Sequence, residues 1–345
     1  MSAARKRKKS KGRMSPARRV ALWAFLVIAL GYCVLAAAAI SFVHHPRAWR
    51  AEREKSWPRF AVATLYWVGN GLADLTDGMG ITGHDVVYEY DTEAPSGKAL
   101  FAGAPKRVGS IQPADITVLD RGEFVVGWSP SLRRPVWCAY HVVPDVLYQA
   151  GKRPNFTKDK EASNSPAPSA YEHSGYDRGH MVPNHAIESR YGSAEQKKTF
   201  MMSNIAPQSP ALNRGVWRNL EHRIADLWPA RYGEIWVIVG TIPSGNGEAL
   251  SGSDVEVPSR FYQLVVAQEG LDVRAFAVIF DQQVSWHEWA ASSLISIDEL
   301  EELAGLDFLP DLPEFIQSPL EAELPTRLWP VRLADVFKLF LLRFQ

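Results

Sequence analysis

The first pattern along the chain is a long absence of charge. From Ala21 to Val43 the sequence runs ALWAFLVIALGYCVLAAAAISFV, 23 residues without Asp, Glu, Lys or Arg. A helix of that length can cross the hydrocarbon core of a bilayer. Residues 44–85 are mixed: PRAWRAEREKSWPRF is charged, and the aromatic run AVATLYWVGNGLADLTD is interrupted by Gly69, Asn70, Gly71 and Asp74. This pattern predicts one or two juxtamembrane helices and no second span.

From residue 86 the pattern changes to short apolar runs bounded by turn residues. DVVYEY, ITVLDRGEFVVGWS, PVWCAYHVV, EIWVIVGT, RFYQLVVA and VRAFAVIF read as strands, and MMSNIAPQ as a shorter one. SAEQKKTF places Gln196 three residues after Ser193, a capping-box pattern for a short helix. In SPALNRGVWRNLEHRIADLWP, Ser209 can cap, Pro210 suits a first turn and Pro229 ends the run, which predicts a helix over about 210–227. SIDELEELAG carries Ser296, Glu299 and Gly305 at positions that start and stop another helix. Ser163 to Tyr176, rich in Ser, Pro and Gly, is a surface loop, and residues 330–345 form an apolar C-terminal helix. No internal repeat is evident. The whole predicts an α+β domain over 86–329 with an antiparallel β-sheet core, preceded by an N-terminal transmembrane helix.

Charge sets the expected orientation. The formal net charge is zero, yet the first twenty residues hold nine Lys or Arg and no acid. A basic tail over 1–20 stays in the cytoplasm, so the 21–43 anchor places everything after it on the far side, periplasmic or extracellular. A cleaved signal peptide is the rival reading, since AAAAIS offers small residues, but the apolar run is longer than the usual 7–15 residues of such signals. Without the tail, 29 basic residues face 38 acidic ones. A net-acidic body excludes coating of nucleic acid by a basic surface and requires a local site with a cation for any phosphate chemistry. Only Cys33 and Cys138 occur, which excludes a disulfide framework and leaves Cys138 as a small buried apolar residue.

The candidate chemistry lies in YDRGHMVPNH, Tyr176 to His185, and on the predicted helix after Ser209. There Asn213, Trp217 and Glu221 recur at i, i+4 and i+8 on one broad face. Trp217 suits a core, whereas Asn213 and Glu221 are costly to bury without a ligand, and a hard cation such as Mg2+ satisfies both. His173, His185, His222 and His287 read as surface or loop histidines.

DRGHMVP, TFMMSNIAPQSPALN and WRNLE, in that order and spacing, resemble the DNA/RNA non-specific endonucleases, the ββα-metal nucleases that include endonuclease G. The resemblance continues through RRPVWCAYHV, GKRPNFTKD, VPSRFYQLVV and ELEELAGLDF. It implies a ββα-metal motif and an Mg2+-dependent endonuclease acting on DNA and RNA, with Mn2+ as a substitute metal. It further implies His180 as general base, Asn213 as the protein ligand of the metal and Glu221 as the partner of metal-bound water. Arg178, Asn204 and Arg153 fall on positions that contact phosphate or orient the site. A neutral histidine with an ordinary pKa of about 6.5 can take the proton of an attacking water. Gly179 would let phosphate approach the backbone, and Asp177 would brace Arg178 or the turn. The competing readings are a catalytically silent nucleic-acid-binding or envelope-scaffold protein on the same fold, and a phosphodiesterase for nucleotides or lipid headgroups.

Overall fold

A computed structural model describes residues 16–45, 47–81, 84–89, 98–270, 272–335 and 338. Most of the basic head and most of the expected helix over 330–345 lie outside the described residues. The chain divides into two units, Met1–Leu72 and Ala73–Gln345.

In the first unit, helix α1 (Pro16–His44) contains Trp23–Val43, 21 residues long and apolar enough to cross a membrane by length and composition. Helices α2 (Arg47–Ser56) and α3 (Arg59–Gly78) follow. Gly69, Asn70 and Gly71 do not interrupt α3 but lie inside it. A Cβ on Gly69 would stand 2.3 Å from the Ala39 carbonyl oxygen, so only glycine lets these two helices approach so closely. Phe42 extends the contact, edge-on to Tyr66 at 5.1 Å and stacked on Trp57 at 6.0 Å.

In the second unit the strands are, in chain order, β1 (Val86–Glu89), β2 (Lys106–Arg107), β3 (Thr117–Asp120), β4 (Phe124–Ser129), β5 (Arg134–Val142), β6 (Asp177–His180), β7 (Ile205–Gln208), β8 (Ile235–Ile242), β9 (Arg260–Glu269), β10 (Asp272–Asp281), β11 (Leu294–Ile295) and β12 (Leu306–Asp307). The main antiparallel sheet has the order β1-β10-β9-β8-β5-β4-β3, with β11 beside β10; β2 pairs with β12, and β6 with β7. Every residue of β4, β5 and β8 is buried. These segments therefore read as unbroken apolar runs, because both faces of the sheet are covered. Trp217, Leu220, Ile224 and Trp228 belong to the core on one face with Val237, Val265 and Phe276. Ile297, Leu300, Ile316 and Leu320 cover the other face over Trp236, Ile238 and Leu264. Cys138 is fully buried in the first core, as expected of a small apolar residue.

Ser296 caps the helix Ile297–Ala304 by accepting from the Glu299 amide at 3.2 Å, and Gly305 ends it in the left-handed region. The capping box at Ser193 does not form. After α4 (Asn184–Tyr191), Gly192 at φ 86° supplies the entry to α5 (Ser193–Thr199), and Gln196 turns inward. The helix expected over 210–227 is longer and broken. It opens where the Ser209 hydroxyl accepts from the Leu212 amide at 3.3 Å, and it bends at Gly215 (φ −99°, ψ −113°). It widens into π turns over Leu212–Trp217 and Arg223–Leu227 and resumes after Trp228 for the turn Pro229–Tyr232. Pro229 does not end it, since the first residue of a new turn has no need of its N–H.

Gly240 lies in β8 where an added Cβ would stand 2.0 Å from the fully buried Tyr262 hydroxyl oxygen. Gly240→Ala is expected to destabilise the domain by about 1–3 kcal/mol through overpacking, read as a lower urea midpoint at unchanged slope.

Candidate active site

The site is built on β6 and β7, which pair Asp177 with Gln208 and His180 with Ile205, and on the broken helix that follows β7. Gly179 sits in this ribbon. A Cβ there would meet the Gln208 side-chain oxygen at 2.1 Å, so the glycine makes room for Gln208. Asn204, just before β7, is fully buried. Its amide oxygen accepts from the Val182 amide at 2.9 Å, and its nitrogen donates to the carbonyls of Val182 at 3.0 Å and Thr199 at 2.9 Å. Both of its N–H donors are thus taken by backbone carbonyls, and none is left to offer a phosphate oxygen.

His180, at the end of β6, is edge-on to Phe200 at 4.8 Å and tilted against Phe156 at 5.4 Å. Its Nε2 is shut off from solvent and has no hydrogen-bond partner among the described residues. Burial, followed by the charge of Arg153, pushes its pKa down to about 3 in place of the ordinary value expected from sequence. Arg153 is exposed and lies over Phe200 at 5.4 Å, so one aromatic ring touches both the guanidinium and the imidazole. Arg178 donates through Nε and Nη2 to the Pro168 carbonyl at 3.0 and 2.9 Å and lies over Phe156.

Asp177 does not brace Arg178. It accepts from Asn213 Nδ2 at 2.9 Å and from Arg214 Nε at 2.8 Å. Burial pushes its carboxyl up, but these two donors outweigh burial and hold it below the usual range. The bond to Asp177 occupies the Asn213 amide nitrogen and leaves its oxygen available. Glu221 stands on the regular turn Arg218–His222 beyond the Gly215 bend. Burial pushes its carboxyl up to about 8, against the smaller opposing effects of Trp217, Arg218 and Arg153. Trp217 packs into the core against Phe261 and Phe280, as expected of it, while Asn213 and Glu221 line the cleft.

His180, Asn213, Glu221, Arg153 and Arg178 all line one cleft of about 730 Å³; Asn204 is not part of its lining. The cleft also holds residues that sequence reasoning set aside. Asp226 binds His185 Nε2 at 2.8 Å and His222 Nδ1 at 2.9 Å, and both histidines line the wall. The Asp226 bond raises the pKa of His185. The His222–Asp226 spacing of four on a predicted helix was the available signal. A carboxyl and an amide oxygen presented to one cleft match the oxygen donor set of a hard divalent cation.

A strand-strand-helix unit that presents histidine, an oxygen donor set and arginines to one cleft defines a class, the ββα nucleases. This chain belongs to the DNA/RNA non-specific endonuclease family, whose profile matches residues 103–315. It is 30% identical over 224 residues to a nuclease of Nostoc sp., covering 61% of this chain and 79% of that one. It is 25% identical over 245 residues to mitochondrial endonuclease G of Bos taurus, covering 64% and 80%. A chain of the crystal structure of the EndoG/EndoGI complex shares the fold with a TM-score of 0.51 at 22% identity, covering 57% of this chain and 87% of that chain. The family makes this protein a phosphodiester hydrolase acting on nucleic acid.

The fold stabilises the neutral form of Glu221, since its pKa rises from 4.5 to about 8. That contribution is complete below the unfolded value and is lost as pH rises through the folded one. In chelator, Glu221→Gln is therefore expected to flatten the fall in melting temperature between about pH 5 and 9. His180, depressed to about 3, acts in the opposite sense below 6.5, so its window lies largely on the acid side. Parallel melting profiles for wild type and variant across the alkaline range would mean that Glu221 is ionised in the resting protein.

Proposed function

We propose that this chain is a membrane-tethered, Mg2+-dependent endonuclease that hydrolyses DNA and RNA outside the cytoplasm. The observation that carries the reading is the convergence of His180, Asn213, Glu221, Arg153 and Arg178 on one cleft. The Asn213 oxygen and, through water, Glu221 would hold the cation, which supplies neutralisation of charge at the leaving oxygen. His180 accepts the proton of the attacking water. Its burial keeps it unprotonated, and the negative charge of a bound phosphate raises its basicity only once substrate is in place. The bonds of Arg178 to Pro168 fix its guanidinium plane, leaving Nη1 to meet a phosphate oxygen, and the exposed charge of Arg153 approaches from the far side of Phe200.

The tether is α1, oriented by the nine basic residues before it. Retention of α1 is supported by its burial against α3: Ala39 and Val43 are fully buried and Phe42 nearly so. Placement across the membrane separates an enzyme without sequence preference from the cell's own genome.

In a plasmid-nicking assay, wild type is expected to cut with Mg2+ and to stop in EDTA, and His180→Ala to lose roughly a hundredfold or more in rate with DNA affinity retained. Cutting by His180→Ala within threefold of wild type would remove His180 as the base. In fractionated cells the full-length chain is expected in the membrane pellet, digested by protease only from the outer face. A soluble mature protein that begins near residue 40 would replace the anchor by a signal peptide.

A further inference from the structure

Beside the catalytic cleft lies a second cavity of about 240 Å³. Lys152, Arg153 and Asn155 line it from one side, and Ser193, Gln196 and Lys197 from α5. Arg153 lines both cavities. Gln196 is only 1% exposed, and its Nε2 is buried with no hydrogen-bond partner. A buried amide donor without an acceptor is costly, and a turn of the Gln196 side chain towards a ligand oxygen in this cavity would relieve it. The lysines are exposed, and among the described residues neither is paired with a carboxylate, whereas the next residue, Lys198, is bound to Glu195 at 2.7 Å. Two free ammonium groups, one guanidinium and an unpaired amide N–H are all donors, which selects an anion with several acceptor oxygens.

The two sides of this cavity are joined rigidly to the catalytic base. The Thr157 amide donates to the Phe200 carbonyl at 3.0 Å, and the Met202 amide to the Thr157 carbonyl at 2.9 Å. These bonds tie the segment after Arg153 to the end of α5, where Phe200 contacts His180. A strand with its scissile phosphate at His180 would pass Arg153 to reach the second cavity, since Arg153 lines both.

We propose that this cavity is a second phosphate subsite, gripping the substrate strand next to the scissile phosphate, with Arg153 as the wall shared by the two sites. It rests on the polynucleotide reading above. The shared chemistry is phosphate, so the test must separate the phosphate of a strand from free phosphate.

Lys152→Glu and Lys197→Glu, singly and combined, are compared with wild type on long DNA and on bis(4-nitrophenyl) phosphate, a diester with no flanking phosphate. The double variant is expected to raise KM for DNA about tenfold or more with kcat little changed, and to lower the salt slope of DNA binding by roughly one to two. Hydrolysis of the small diester should stay as in wild type. Gln196→Met is expected to weaken DNA binding several-fold while melting temperature holds or rises, because an unpaired buried donor has been removed. Equal losses on both substrates, an unchanged KM for DNA, or a change confined to inhibition by inorganic phosphate would each overturn the subsite. Anisotropy of a labelled oligonucleotide on the metal-free proteins gives an answer independent of turnover. If wild type cuts nothing with Mg2+ but the double variant still binds the oligonucleotide tenfold more weakly, the nuclease reading fails and the subsite stands; equal binding overturns the subsite.

Discussion

The carboxamide of Asn204 holds the two halves of the site together. It spends its oxygen on the Val182 amide and both its hydrogens on the carbonyls of Val182 and Thr199. Val182 follows His180 by two residues, and Thr199 is the last residue of α5. One side chain therefore fixes the exit of β6, which sets His180, against the end of α5, which sets Phe200 and through it the neighbourhood of Arg153. All three partners are backbone groups in a fully buried place, and each would cost about 1–3 kcal/mol if left unpaired. An apolar residue of the same size would fill the volume and abandon the bonds.

The electrostatics of the cleft follow from how its central pair is set into the protein. Burial pushes His180 and Glu221 in opposite directions along the pH scale, to about 3 and about 8, and in both cases towards the uncharged form. The central pair of the resting site is thus neutral, while the cations stand at its rim, Arg153 exposed and Arg178 partly so. A phosphate and a divalent cation, if they entered together, would bring compensating charges. This arrangement lets a body with more acidic than basic residues address a polyanion: the positive potential is local, and acids close to the cleft are engaged, Asp177 by Arg214 and Asn213, and Asp226 by two histidines.

The sequence made the sheet legible because strands buried on both faces are written as unbroken apolar runs, and it made the helix at Ser296 legible because a cap is a local interaction. The five cleft residues were legible through motif and order. What could not be read depends on neighbours distant in sequence. Gly179 answers to Gln208, Asp177 to Arg214, and the burial of Asn204 to a turn twenty-two residues earlier. The π turns around Gly215 and after His222 could not be read either, although Trp217 and Glu221 remain one regular turn apart. His185 and His222 looked like surface residues singly; Asp226 joins them only after α4 and the broken helix are packed side by side.

The four alanines at 36–39 could be read in two ways, as the small residues before a signal-peptidase cut or as the small residues of a helix contact. The structure uses one of them directly: the Ala39 carbonyl occupies the space that a Cβ on Gly69 would need. Phe42 and Val43, beyond any cut among those alanines, are buried with it, Phe42 between Trp57 and Tyr66. A chain cut at the alanines would keep the glycine and lose the backbone it was placed to receive. In the uncut chain the close approach of the two helices depends on this glycine.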